Sequence, residues 1–235
     1  MSVIELADRS EYKRRLNESL KIDSRRTAVV TIDMQREYLD ESVGQSVVVP
    51  AEAERVLSGS KMFLDACRAL QIPVVHAYVV RRPEEITAGL HSGGLAYTVT
   101  SQEIGASQVP HRPVRSRPDR VAGSPESELP ASLVAPNDIH VTSKKSLDSF
   151  ADTDLGFLLR RVLDVKYLLL CGINTDTCVY STTFTAANMG YWPIVVSDCV
   201  GSMRGIDSHL MALELISRSI GWVLTGDEVL ARLQQ

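Results

Sequence analysis

The chain has little that would mark a specialised class. Its four cysteines, Cys67, Cys171, Cys178 and Cys199, include no Cys-x-x-Cys pair, which argues against a zinc ribbon or a thioredoxin-type redox motif. A chain of 235 residues is too long to need disulfide staples. No stretch approaches the roughly 20 apolar residues of a membrane helix. The opening segment, MSVIELADRSEYKRRLNESLK, is charged throughout and lacks the apolar centre of a secretion signal. A cytoplasmic location follows as the expectation. The formal net charge is only −4, so neither nucleic acid nor an anionic membrane is expected as partner. There are no internal repeats and no low-complexity tracts.

What remains has an ordinary soluble composition, 44% hydrophobic and 23% charged, in a length that suits one large domain. Residues 1–24 read as an N-terminal helical extension, with an amphipathic helix over 5–21. From residue 25 to 235, short apolar runs alternate with helical stretches. The runs are Thr27–Ile32, Pro73–Val80, Ile139–Thr142, Tyr167–Cys171, Pro193–Ser197 and Gly221–Thr225. They are rich in Val, Ile and Leu with little alternation, as in strands covered on both faces. Helical patterns occupy 51–70, 154–163, 178–189 and 205–219. A last helix starts at Thr225-Gly-Asp-Glu228, a plausible capping box. This order predicts an α/β three-layer sandwich around a six-stranded, mainly parallel, Rossmann-like sheet.

Residues 81–138 interrupt the rhythm. They hold seven of the ten prolines and an arginine cluster at Arg112, Arg115, Arg117 and Arg120. A connection of this length in a compact domain is typically a functional cover or disordered. The prolines favour a stiffened lid over the sheet.

Parallel sheets place chemistry at the carboxyl ends of their strands. Three ends carry reactive groups: Asp33 after the first strand, Lys144 and Lys145 after the third, and the run from Cys171 to Cys178 after the fourth. Cys178 falls where a helix begins. Unpaired N–H groups and the positive end of the helix dipole favour a thiolate there, as does a nearby lysine. The same N–H groups suit a developing oxyanion. A carboxyl group able to take the thiol proton and pass it to a leaving nitrogen completes the set, and Asp33 is the candidate. Free cysteines are usually inert packing. That reading applies to Cys67, Cys171 and Cys199, while the residues alone leave Cys178 open between packing and nucleophile.

The blocks AVVTIDMQREYL, KKSLDSFADTDLGFLL and LLLCGINTDTCVYSTTFTAANMGYWPIVVSDCVGS resemble the three signatures of the isochorismatase-like cysteine hydrolases, in family order, and the resemblance spans about residues 25–233. It implies an Asp33-Lys144-Cys178 triad. Lys144 is preferred to Lys145 because it precedes the aromatic Phe150 by six positions, as in the family pattern. The resemblance further implies an oxyanion hole from the N–H groups of Asn174 and Cys178, a cis peptide at Ile173–Asn174, and a homodimer or homotetramer. The implied activity is cysteine-dependent hydrolysis of a C–N bond in a small amide, ureido or carbamoyl compound, as in N-carbamoylsarcosine amidase and ureidoacrylate amidohydrolase, through a thioester intermediate.

Departures from the family narrow the choice. True isochorismatases, which hydrolyse a vinyl ether, lack the cysteine. Nicotinamidases carry an Asp-x-His metal site after the second strand, where this chain reads HAYVVRRPEE. No metal and no cofactor are therefore expected. The five histidines, His76, His91, His111, His140 and His209, show no ligand spacing and read as structural. Gln35, Tyr38, Arg81 and Arg82 are the expected substrate-binding residues, with an arginine after the second strand suited to a carboxylate on a small carbonyl substrate. A vinyl-ether hydrolase with an idle Cys178, or a catalytically silent binding or scaffold relative, is the alternative.

Overall fold

In the computed structural model, which describes residues 6–90 and 95–234, six strands form one parallel sheet in the order β3-β2-β1-β4-β5-β6. The strands are β1 Thr27–Ile32, β2 Val74–Val79, β3 Ile139–Lys144, β4 Tyr167–Ile173, β5 Trp192–Gly201 and β6 Trp222–Leu224. The helices are α1 Ser10–Ser19, α2 Arg36–Leu39, α3 Pro50–Ala69, α4 Pro83–Thr87, α5 Ala96–Glu103, α6 Leu155–Phe157, α7 Tyr180–Asn188, α8 Ile206–Ser219 and α9 Gly226–Leu233. The α/β sandwich read from the alternating runs is the observed architecture. His91 and the first five residues of the N-terminal extension lie outside the described residues.

Why the strands read as continuous apolar runs is plain from their packing. β1 and β4 are buried along their whole length. Successive side chains of a strand point to opposite faces, so Val29, Leu169 and Ile194 join the core under α3 and α9. Their neighbours Val30, Leu168 and Val195 join a second core under α6, α7 and α8. α3 opens on Pro50, tolerated where no intrahelical N–H is required. α9 closes the fold with the Thr225–Glu228 capping box anticipated from sequence. α1 is docked at the far edge, where Trp222 Nε1 donates to the Leu16 carbonyl and Lys13 pairs with Glu214. Among the described residues, no helix is long and apolar enough to cross a membrane.

The strand order reverses direction between β1 and β4, and at such a switch point the carboxyl ends of neighbouring strands part to leave a crevice. Here β1 and β4 come unusually close. Ile32 pairs with Gly172, and a β-carbon on Gly172 would stand 2.2 Å from the Ile32 carbonyl oxygen. Gly172 also has φ near +142°, which disfavours any side chain. Only glycine lets the two strands that bear Asp33 and Asn174 lie side by side.

Segment 81–138 contains α4, α5 and two short 3₁₀ turns rather than a bare loop. It is tied back to the end of β2 by a bridge at Arg81 and Val121. The Arg81 N–H donates to the Arg120 carbonyl at 2.9 Å, and the Ala122 N–H to the Arg81 carbonyl at 2.8 Å.

Gly172→Ala is expected to lower stability by at least ~2 kcal/mol, the scale of a backbone clash at a constrained φ. Thermal or denaturant unfolding reads this; a variant melting like the parent would mean that β1 and β4 need no such approach.

Candidate active site

Asp33 follows β1 in a left-handed conformation, φ 49°. Its N–H donates to the Ala77 carbonyl at 3.0 Å, and its Oδ1 accepts from the Val79 N–H at 3.2 Å. The carboxyl is thus anchored between β1 and β2. Lys144 is the last residue of β3, where a register irregularity sets Val79 against both Ser143 and Lys144. Cys178 comes from the first turn after β4. There a π-helical turn, Thr175–Val179, leads into α7, with Asn174 as its cap residue. The Ile173–Asn174 peptide is cis.

These three elements bring the three side chains together. Lys144 Nζ donates to Asp33 Oδ2 at 2.6 Å, to the Ser146 carbonyl at 2.7 Å and to Cys178 Sγ at 3.6 Å. An ammonium has three protons to give, and all three are engaged. Asp33 and Lys144 are each 1% exposed, and Cys178 is 6% exposed. Lys145, its neighbour, lines the same cavity but pairs with Glu85 at 2.7 Å.

Burial sets the charge states. It pushes the Cys178 thiol up to about 11; Lys144 opposes that shift, and the Asp33 carboxylate adds to it. Burial and the Asp33 carboxylate thus work against the thiolate that the helix N-terminus and Lys144 favour. Burial also works against the Lys144 ammonium, but the attraction of Asp33, joined by that of Cys178 when it is ionised, overcomes it and the net shift is upward. In chemical terms the cluster is a protonated nucleophile, a carboxylate able to accept its proton, and a fixed counter-charge touching both.

The cluster opens into a small cavity of about 90 Å³. At roughly 10–15 Å³ per water by the same measure, it holds several waters or one small molecule. Asn174 and Thr177 line it on the β4 side, Tyr38 beside Asp33, and Met203 and Arg204 on the β5–α8 side. The long segment supplies the cover through Leu95, Thr98, Gln102, Gln108, Arg115, Asp119 and Arg120. The Asn174 side chain is held by the Met203 N–H at 2.9 Å.

Two expected substrate contacts are not placed to make them. Gln35 is fully buried behind the cavity. Its amide donates to the Val79 and Ser127 carbonyls, at 2.8 and 2.7 Å, and accepts from Arg120, so it ties the long segment to the sheet. Arg82 is exposed and precedes α4 outside the cavity. Tyr38 and Arg81 do line it.

The residues that sequence reasoning underused are in the arginine cluster. Arg120, fully enclosed, sits 3.7 Å from Asp33 and stacks 5.1 Å over the Tyr38 ring. It forks onto Asp119 at 2.7 and 2.8 Å, and Arg115 bonds both Asp119 and Glu37 at 2.7 Å. These guanidiniums hold Asp119 well below the usual carboxylate range despite its burial. Arg112 and Arg117 instead pair with Glu41 and Glu126 nearer the surface. Which arginines turn inward depends on a loop path that no periodicity encodes.

The described histidines serve packing and hydrogen bonding where their partners are defined. His76 bridges Thr31 and Asp138, His140 meets Tyr78, and His209 meets Thr175. Among the described residues, no three His, Cys, Asp or Glu side chains are grouped as a metal site.

Known proteins share this sequence pattern and fold. The isochorismatase domain model matches residues 27–228. The chain belongs to the isochorismatase family. The family protein YwoC of Bacillus subtilis is 25% identical over 224 residues, covering 92% of this chain and 98% of YwoC. Among isochorismatase-like folds, a cysteine hydrolase from Pseudomonas syringae pv. phaseolicola superposes with a TM-score of 0.71. It is 24% identical, over 92% of this chain and 95% of that one. N-carbamoylsarcosine amidase from Thermoplasma acidophilum gives 0.62 at 20% identity, over 86% and 97%.

The opposed influences on the thiol generate a test. Site-resolved alkylation of Cys178 with iodoacetamide across pH should titrate near 11. Asp33→Asn removes a group that raises the thiol pKa, so its curve should move to lower pH. Lys144→Met should move it higher. A wild-type thiol titrating below neutrality, or shifts of the opposite sign, would contradict the assignment of burial as the dominant effect.

Proposed function

We propose that this isochorismatase-family chain is a cysteine hydrolase that cleaves a C–N bond in a small amide, ureido or carbamoyl compound. The observation that carries the reading is the single cavity in which Lys144 Nζ lies 2.6 Å from Asp33 and 3.6 Å from Cys178 Sγ. The amidase and cysteine hydrolase among its fold neighbours support the choice of reaction class.

The steps follow from the groups present. Cys178 Sγ attacks the substrate carbonyl carbon while its proton passes to the Asp33 carboxylate. A thiol held protonated by burial suits this concerted transfer, since no free thiolate need persist beside Asp33. The carbonyl π electrons move to oxygen, and the resulting oxyanion accepts from the backbone N–H groups of Asn174 and Cys178. Collapse of the tetrahedral intermediate breaks the C–N bond. Asp33 returns its proton to the departing nitrogen, which leaves as ammonia or an amine, and a thioester remains on Cys178. Water then attacks the thioester and gives a proton to Asp33. The C–S bond breaks, the acid product leaves, and the sulfur recovers its proton from Asp33. Lys144 stays charged throughout. It stabilises the negative charge wherever it resides, on Asp33 or on Cys178.

A panel of small amides, ureido acids and carbamoyl amines, scored for ammonia release, should yield at least one substrate. On that substrate Cys178→Ala should reduce turnover by at least about a thousandfold, and Lys144→Ala by at least about a hundredfold, with the fold retained. Cys178→Ala retaining the parental rate would favour acid–base cleavage without a covalent step, as in a vinyl-ether hydrolase. A panel with no turnover at all would favour a silent relative.

A further inference from the structure

A second, smaller cavity of about 50 Å³ lies against the catalytic one. The two share a wall made by Thr98, Gln102, Gln108, Arg115 and Met203. Met203 also gives its N–H to the Asn174 side chain at 2.9 Å, so the wall begins beside the turn that carries Cys178. At roughly 10–15 Å³ per water, the second cavity takes only a few non-hydrogen atoms. That is too little for a ligand of its own, but enough for the end of one already held at Cys178.

The lining is polar but carries no charge to spare. Arg115, the one charged residue among its described lining, is matched by Glu37 and Asp119, both at 2.7 Å. Two donors remain. Ser46 is 6% exposed; its hydroxyl accepts from Arg115 at 2.8 Å and has no acceptor for its own proton among the described residues. Gln108 gives one amide proton to Thr98 Oγ1 at 3.2 Å and accepts from Arg204 at 3.0 Å, and an amide has a second proton to give. A neutral acceptor such as an amide carbonyl satisfies such donors. A carboxylate would lose its hydration near Glu37 and Asp119 with no unmatched cation to meet it. An alkyl chain would leave the Ser46 proton buried and unpaired.

Resting on the hydrolase reading for what happens at Cys178, we infer that this cavity is a subsite for the far end of the substrate, and that this end is an uncharged group of the amide class. The substrate thus has two parts, a scissile carbonyl held by the triad and a neutral acceptor-bearing end held under α5.

Site-resolved alkylation of Cys178 tests the subsite without any turnover. The probes are iodoacetamides whose N-substituents have one shape: 2-acetamidoethyl, 4-methylpentyl and 3-carboxypropyl, each rate divided by that with glutathione. The acetamidoethyl reagent should react about fivefold or more faster than either of the others, the scale of one or two neutral hydrogen bonds. Ala106→Phe fills the second cavity, because Ala106 lines it and not the catalytic one. There the preference should fall to within about twofold while plain iodoacetamide keeps its rate. Val114→Trp, at another residue of the second cavity alone, serves if Ala106→Phe fails to fold. Equal rates for the three reagents, a faster alkyl or carboxylate reagent, a preference that survives both fillings, or fillings that slow plain iodoacetamide equally would overturn the subsite. The preference with no ammonia release from any amide would keep the subsite and remove the hydrolase reading. Ammonia release without the preference would do the reverse.

Discussion

Everything at this site depends on one buried ammonium. Lys144 spends its three protons on Asp33, the Ser146 carbonyl and Cys178. Without that positive charge, a carboxylate and an ionisable thiol could not both be kept in a region where desolvation penalises every charge. With it, the pair can exchange a proton without changing the net charge of the pocket. The cluster is costly to bury, yet it is built at the switch point of a sheet whose two central strands, β1 and β4, are buried along their whole length.

The fold supports the cluster through three devices. Gly172 lets β4 lie against β1. The irregular register at Val79 accompanies the turn of Lys144 into the pocket while Lys145 goes to Glu85. The long segment after β2 then closes the far side, with Gln35 and Arg120 linking it to the strand ends. The second half of the site therefore comes from a part of the chain with no strand among its described residues. That segment also brings the guanidiniums of Arg115 and Arg120 to the cavity wall.

Much of this was legible in the sequence. Apolar runs that lack alternation could only be strands covered on both faces. β1 matches its run, Thr27–Ile32, residue for residue, and β4 runs two residues past its own to Ile173. Reactive groups at strand ends pointed to Asp33, to Lys144 or Lys145, and to the run ending at Cys178, because parallel order brings those ends together; the family resemblance then singled out Lys144 and Cys178. The interior of 81–138 was not legible. Its helices are short, α5 buries no residue, and prolines punctuate it, so no period shows. For the same reason Arg120 and Arg115 could not be told from Arg112 and Arg117. Gln35 and Arg82 were misplaced because closeness in sequence to a strand end does not fix the direction of a side chain. The opposing pull of burial on the thiol was not legible either, because a helix N-terminus is visible in sequence and the depth of burial is not.

The most direct measurement is the mass of the protein acid-quenched after brief exposure to p-nitrophenyl acetate, an acyl donor that needs no knowledge of the natural substrate. An acetyl group should appear first on the peptide containing Cys178, and at least about tenfold more slowly in Lys144→Met. Acetylation spread over other residues with Cys178 spared, or labelling of Cys178 at the same rate without Lys144, would contradict a nucleophile governed by that ammonium.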